Sequence, residues 1–114
     1  MKKVLLINDD PDFQYLIKSF LERKGYDAAT MNGDEPIIPK VKEYNPHVII
    51  IDMKMENDMK ICSEIRKNLT SKDVRVVLLT DQSIQSPLTD CDPDAVIQKP
   101  FQPNELLNRI DEIV

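Results

Sequence analysis

Five short apolar runs punctuate the chain, and between them apolar residues recur with helical spacing. The runs lie at Lys3–Asn8, Asp27–Met31, Val48–Asp52, Arg75–Thr80 and Ala95–Gln98. Val48-Ile49-Ile50-Ile51 and Val76-Val77-Leu78-Leu79 are apolar at every position. A strand with one wet face would alternate, so these runs predict strands covered on both faces. Strand and helix signals alternate, which predicts an α/β domain of order βαβαβαβαβα with right-handed parallel crossovers.

The first helix is marked by Asp10 as cap, Pro11 at its first position and Gly25 at its stop. Phe13, Leu16, Ile17, Phe20 and Leu21 would form its inward face. A helix from about Asp58 to Leu69 would bury Ile61, Cys62, Ile65 and Leu69. The last helix begins near Pro103 and would bury Leu106, Leu107, Ile110 and Ile113. Between Gly33 and Tyr44 stand Pro36 and Pro39. An internal proline costs a helix about 3 kcal/mol, so a helix here should be short and start late, with Ile37, Ile38, Val41 and Tyr44 inward. The crossover from Thr80 to Asp94 has few apolar anchors and a central Pro87. The fourth helix in order is therefore expected to be short or irregular.

Composition narrows the class. A chain of 114 residues, 41% hydrophobic and 31% charged, is read as one domain, 1–114, with a core that needs no metal or disulfide staple. No apolar stretch is long enough to span a bilayer. The net charge of −5 argues against direct nucleic-acid binding, which needs clustered Lys and Arg. Cys62 and Cys91 form no CxxC pair and are read as free thiols of a reducing, cytoplasmic compartment. His47, with no partner cluster, is read as structural.

The chemistry-bearing residues fall at strand ends. Asn8, Asp9 and Asp10 follow the first strand, Asp52 closes the third, Thr80 closes the fourth and Lys99 follows the fifth. Parallel strands bring these ends to one rim, where an open α/β sheet binds its ligand. Two nearby carboxylates favour a divalent cation, and oxygen-only ligands select Mg²⁺. A carboxylate can act as a nucleophile towards phosphorus, and an ammonium and a hydroxyl can stabilise the transferring phosphoryl group.

With these residues the chain resembles the response-regulator receiver domains, the CheY-like family. The resemblance rests on Val4-Leu5-Leu6-Ile7-Asn8-Asp9-Asp10-Pro11, Pro46-His47-Val48-Ile49-Ile50-Ile51-Asp52-Met53-Lys54-Met55, Val77-Leu78-Leu79-Thr80 and Lys99-Pro100-Phe101. It implies a flavodoxin-like, doubly wound five-stranded parallel sheet in the order 2-1-3-4-5, with helices on both faces. It implies Asp52 as phosphoacceptor, Thr80 as switch hydroxyl and Lys99 as the cation that pairs with the phosphoryl group. Mg²⁺ would be held by Asp9, Asp52 and the backbone carbonyl of Lys54, with Asn8 or Asp10 acting through water. The Lys99–Pro100 bond is expected to be cis. A histidine kinase or phosphotransfer protein would supply the phosphoryl group, and a downstream protein would read the switch. The domain would catalyse only its own phosphorylation and dephosphorylation and would not be an enzyme in the turnover sense.

The chain departs from the family pattern at several positions. Asn8 stands where many relatives carry an acid, Glu56 replaces a frequent proline, Asp81 follows Thr80, and Val96 stands where an aromatic is usual. Asn8, Asp81, Val96 and the short fourth crossover favour an alternative: a pseudo-receiver, the same fold serving as an interaction module with weak or no phosphorylation. An aspartate-nucleophile phosphohydrolase fits less well, because Lys54 stands where such enzymes place a second acid. A flavin carrier fits poorly, because no phosphate-binding loop follows the first strand.

Overall fold

The computed structural model of the chain describes residues 2–53, 56–68, 74–80 and 92–114. In chain order the elements are β1 (Lys3–Ile7), α1 (Pro11–Arg23), β2 (Asp27–Met31), α2 (Ile37–Tyr44), β3 (Val48–Met53), α3 (Glu56–Asn68), β4 (Arg75–Thr80), β5 (Ala95–Gln98) and α4 (Pro103–Ile113). The strands form one parallel sheet in the order β2-β1-β3-β4-β5. The expected topology is thus observed. The crossover containing the expected short helix, together with Lys54, Leu69, Asp81 and Cys91, lies outside the described residues.

The unbroken apolar strands have a direct packing explanation. Val4, Leu6, Val48, Ile50, Val77, Leu79 and Ile97 face one way and pack with Ile17 and Leu21 of α1 and Leu106, Leu107 and Ile110 of α4. The intervening Leu5, Ile7, Ile49, Ile51, Val76 and Leu78 face the other way, against Ile37 and Val41 of α2 and Cys62 and Ile65 of α3. Side chains alternate across a strand, so two buried faces demand an apolar residue at every position.

Local chemistry sets the helix ends. The Asp10 carboxylate accepts from the backbone N–H of Asp12 at 3.0 Å, capping α1. At the other end Gly25 has φ +90°, and the Gly25 and Tyr26 N–H groups donate to Glu22 O and Leu21 O, both at 3.0 Å. This is the left-handed glycine stop that satisfies the last helical carbonyls. Helix α2 starts at Ile37 with Pro36 as its cap residue, so Pro39 falls in the first turn. A first-turn N–H has no helical acceptor, and a proline there removes no hydrogen bond.

Two expectations are corrected. Leu16 is 46% exposed. It sits at the edge of the α1 stripe and lines an open apolar cleft of about 470 Å³ with Phe13, Ile17, Lys99, Pro100, Phe101 and Pro103. Cys62 is disulfide-bonded rather than a free thiol. Distance along the chain is a poor guide to pairing where a parallel sheet brings distant segments together.

Candidate functional site at the carboxyl rim of the sheet

Asn8, Asp52 and Thr80 are the buried polar or charged residues among those described, at 3%, 7% and 2% exposure. All three stand at carboxyl ends of neighbouring strands. Ile7 pairs with Ile51, which places Asn8 and Asp52 side by side just beyond. Met53 pairs with Thr80, so the threonine stands on the next strand over.

The Asp52 carboxylate has a donor on each oxygen. The Lys99 ammonium forms an ion pair with Oδ1. The Asn8 side-chain amide donates through Nδ2 to Oδ2. A buried carboxylate needs such partners, because desolvation without compensation costs several kcal/mol (roughly, for an ion). Lys99 also lies over the Phe13 ring, with Nζ 5.4 Å from the ring centroid. Phe101 meets Phe13 edge to face, with centroids 6.3 Å apart. The Lys99 backbone N–H donates to Thr80 O at 2.6 Å, tying the loop after β5 to the end of β4. The Lys99–Pro100 peptide is cis, as the resemblance implied.

Asn8 is itself held from several sides. Its Oδ1 accepts from the Asp10 N–H at 2.6 Å. Its backbone N–H donates to Met31 O at 3.0 Å. Its backbone carbonyl accepts from the Gln14 side chain, which also donates to Asn32 Oδ1 at 3.1 Å. Asp9 is exposed, and its Oδ1 accepts from the Gly33 N–H at 2.8 Å. Asp10 serves as the α1 cap. The structure therefore brings Asn8, Asp52, Thr80 and Lys99 together and anchors Asp9 to the loop after β2. Sequence reasoning missed Gln14 and read Phe13 only as part of the core. Their spacing from the Asn8-Asp9-Asp10 run, one turn into α1, was the available signal.

A family model for the response regulator receiver domain matches residues 4–111. The chain belongs to that family. Among curated relatives, the alkaline phosphatase synthesis regulator PhoP of Bacillus subtilis is 25% identical over 99% of the chain and 48% of its own length. The response regulator ArlR of Staphylococcus saprophyticus is 29% identical over 96% of the chain and 51% of its own length. The chain thus spans about half the length of these relatives. Among solved structures, the response regulator TrrA of Thermotoga maritima, in complex with Mg²⁺ and BeF, superposes with a TM-score of 0.84. It is 29% identical, with both chains covered in full. The chemotaxis protein CheY4 of Vibrio cholerae shares the fold at a TM-score of 0.86 and 22% identity, covering 100% of this chain and 99% of its own. This receiver domain is accordingly part of a two-component system. Among the described residues no helix is long and apolar enough to cross a membrane.

Proposed function

We propose that Asp52 accepts a phosphoryl group from the phosphohistidine of a histidine kinase or phosphotransfer protein, and that the domain acts as a switch. The observation that carries this reading is the buried Asp52 carboxylate at the end of β3, paired with Lys99 beside Thr80. A complex of the histidine kinase ThkA with TrrA supports the class of partner.

In the transfer a carboxylate oxygen of Asp52 forms a bond to phosphorus as the donor's P–N bond breaks. The electron pair leaves on the imidazole nitrogen. Lys99 shifts its ammonium from the carboxylate towards the phosphoryl oxygens, and the Thr80 hydroxyl is available to another of them. Phosphorylation changes the charge at the rim and biases a two-state element. The domain then serves its own phosphorylation and hydrolysis without turning over an external substrate.

The donor chemistry fits Mg²⁺. Asp9 and Asp52 supply hard carboxylate oxygens, and the ion would neutralise charge on the phosphoryl oxygens. The Lys54 carbonyl completes the expected set from outside the described residues. A cytoplasmic location, a downstream protein as reader, and no direct contact with nucleic acid or membrane complete the reading.

The second reading, a pseudo-receiver, is favoured by one observation: the Asn8 amide already occupies Asp52 Oδ2. Incubation with acetyl phosphate and Mg²⁺, followed by mass spectrometry and peptide mapping, separates the two. The receiver reading expects a single added phosphoryl group on Asp52, absent from Asp52→Asn. An unmodified wild type would establish the pseudo-receiver instead.

A further inference from the structure

We propose that Asn8 is a positioning residue that presets the Asp52 carboxylate without a divalent cation. Its amide holds Oδ2 as the spectator oxygen and leaves Oδ1 as the nucleophile. The proposal deepens the phosphoacceptor reading and rests on it for the identity of the reacting atom.

The orientation of the amide carries the argument. An asparagine side chain presents an acceptor on one side and two donors on the other. Oδ1 is taken by the Asp10 N–H at 2.6 Å, which turns Nδ2 towards Asp52. The reversed amide would set an oxygen against Asp52 Oδ2 and an NH₂ against the Asp10 N–H, a clash at both ends. The Asn8 backbone is fixed as well, by Met31 O on its N–H and the Gln14 side chain on its carbonyl. A buried, doubly anchored residue thus delivers a neutral donor to one oxygen of the nucleophile.

The two oxygens of Asp52 are therefore unequal. The donor on Oδ1 is an ammonium on a long, flexible stem, part-exposed at 21%, which can follow charge onto an incoming phosphoryl group. The donor on Oδ2 is an amide locked in a buried network, with no comparable freedom. Oδ1 can be released to attack, while Oδ2 keeps its hydrogen bond and becomes the carbonyl oxygen of the acyl phosphate. A carboxylate in place of Asn8 would instead face Asp52 as a like charge and would call for a cation between them.

The test compares wild type with Asn8→Asp and Asn8→Ser, using Mg²⁺ alone as the probe. Calorimetric titration should show Mg²⁺ binding Asn8→Asp about tenfold or more tightly than wild type, because one carboxylate is added beside the ion. Without Mg²⁺, Asn8→Asp should melt below wild type and recover when Mg²⁺ is added, whereas wild-type melting should change little. Asn8→Ser, too short to reach Asp52, should shift the Asp52 carboxylate ¹³C resonance in Mg²⁺-free buffer. Equal Mg²⁺ affinity of wild type and Asn8→Asp, or an Asp52 resonance unmoved in Asn8→Ser, would overturn the proposal. Neither readout needs phosphorylation. A wild type that forms no acyl phosphate would count against the phosphoacceptor reading, while the affinity ratio still decides the role of Asn8.

Discussion

The two rims of the sheet are built from the same strands and treat charge in opposite ways. At the carboxyl rim Asp52 is buried, with a side chain 2% exposed, and its partners Asn8 and Lys99 come from distant parts of the chain. At the amino rim the charges stay near water. Asp94 pairs with Arg66 at 3.0 Å and Arg75 at 3.7 Å, with side-chain exposures of 25%, 26% and 46%. Its carboxylate also accepts from the Val76 N–H at 2.8 Å, so it caps the amino end of β4. His47 Nδ1 accepts from the Lys3 N–H at 2.9 Å, again serving the backbone. The amino rim even carries an open cavity of about 440 Å³, lined by Lys2, His47 and Arg75 among others. A cavity with satisfied, solvated groups is weaker grounds for chemistry than a buried carboxylate paired with an ammonium that can follow an incoming charge.

The contrast can be broken by mutation. Lys99→Met should have the largest effect, destabilising the fold by about 3 kcal/mol in urea unfolding, because it strands the Asp52 charge. Combining it with Asp52→Asn should recover much of that loss, since the stranded charge is gone. Additive losses would show that the pair is not coupled. Asp94→Ala should cost about 1–2 kcal/mol, mainly through the unsatisfied Val76 N–H rather than the exposed ion pairs. Arg75→Ala should change stability by less than about 0.5 kcal/mol, as expected of a solvated pair. A loss at Arg75 as large as at Lys99 would erase the distinction between the rims.

Two tyrosines on the amino-rim side, Tyr26 and Tyr44, hold their protons into the alkaline range. Burial first, then the charge and hydrogen bond at Asp27, push Tyr44 up to about 12. Burial first, then its hydrogen bond to Asp111, push Tyr26 up to about 12. The folded state holds these protons more tightly than the unfolded chain, whose tyrosines ionise near pH ~10. Their stabilisation is therefore full below pH ~10 and lost as pH rises from there through about 12. Unfolding curves at stepped alkaline pH, with tyrosinate absorbance, should show that fall in wild type and a shallower one in Tyr44→Phe.

Much of this was legible in the sequence, for physical reasons that can be named. Strand bounds at Asp27–Met31, Arg75–Thr80 and Ala95–Gln98 match the expectations, because an apolar run in a doubly covered sheet ends where polar residues begin. Strand direction led to the expectation that Asp9, Asp52, Thr80 and Lys99 share one rim; Asp52 and Lys99 pair beside Thr80, while the Asp9 carboxylate accepts from the Gly33 N–H. The role of Asn8 was not legible, because an amide can donate or accept and only the Asp10 N–H fixes which end faces Asp52. Phe13 was read as core, yet its ring also faces the Lys99 ammonium, a contact between segments far apart in the chain. Asp94 carried no signal beyond being an acid before a strand, since its role depends on the neighbouring strand's first free N–H.

The most direct measurement is an NMR titration of ¹⁵N-labelled protein with beryllofluoride and Mg²⁺, in wild type and Asp52→Asn. The account predicts a second set of amide resonances at Asn8, Asp52, Thr80 and Lys99 in wild type, with amino-rim residues such as His47 and Asp94 unmoved. None of this should occur in Asp52→Asn. A wild-type spectrum unchanged by beryllofluoride, or the same changes in Asp52→Asn, would contradict the claim that the carboxyl rim is a phosphoryl site.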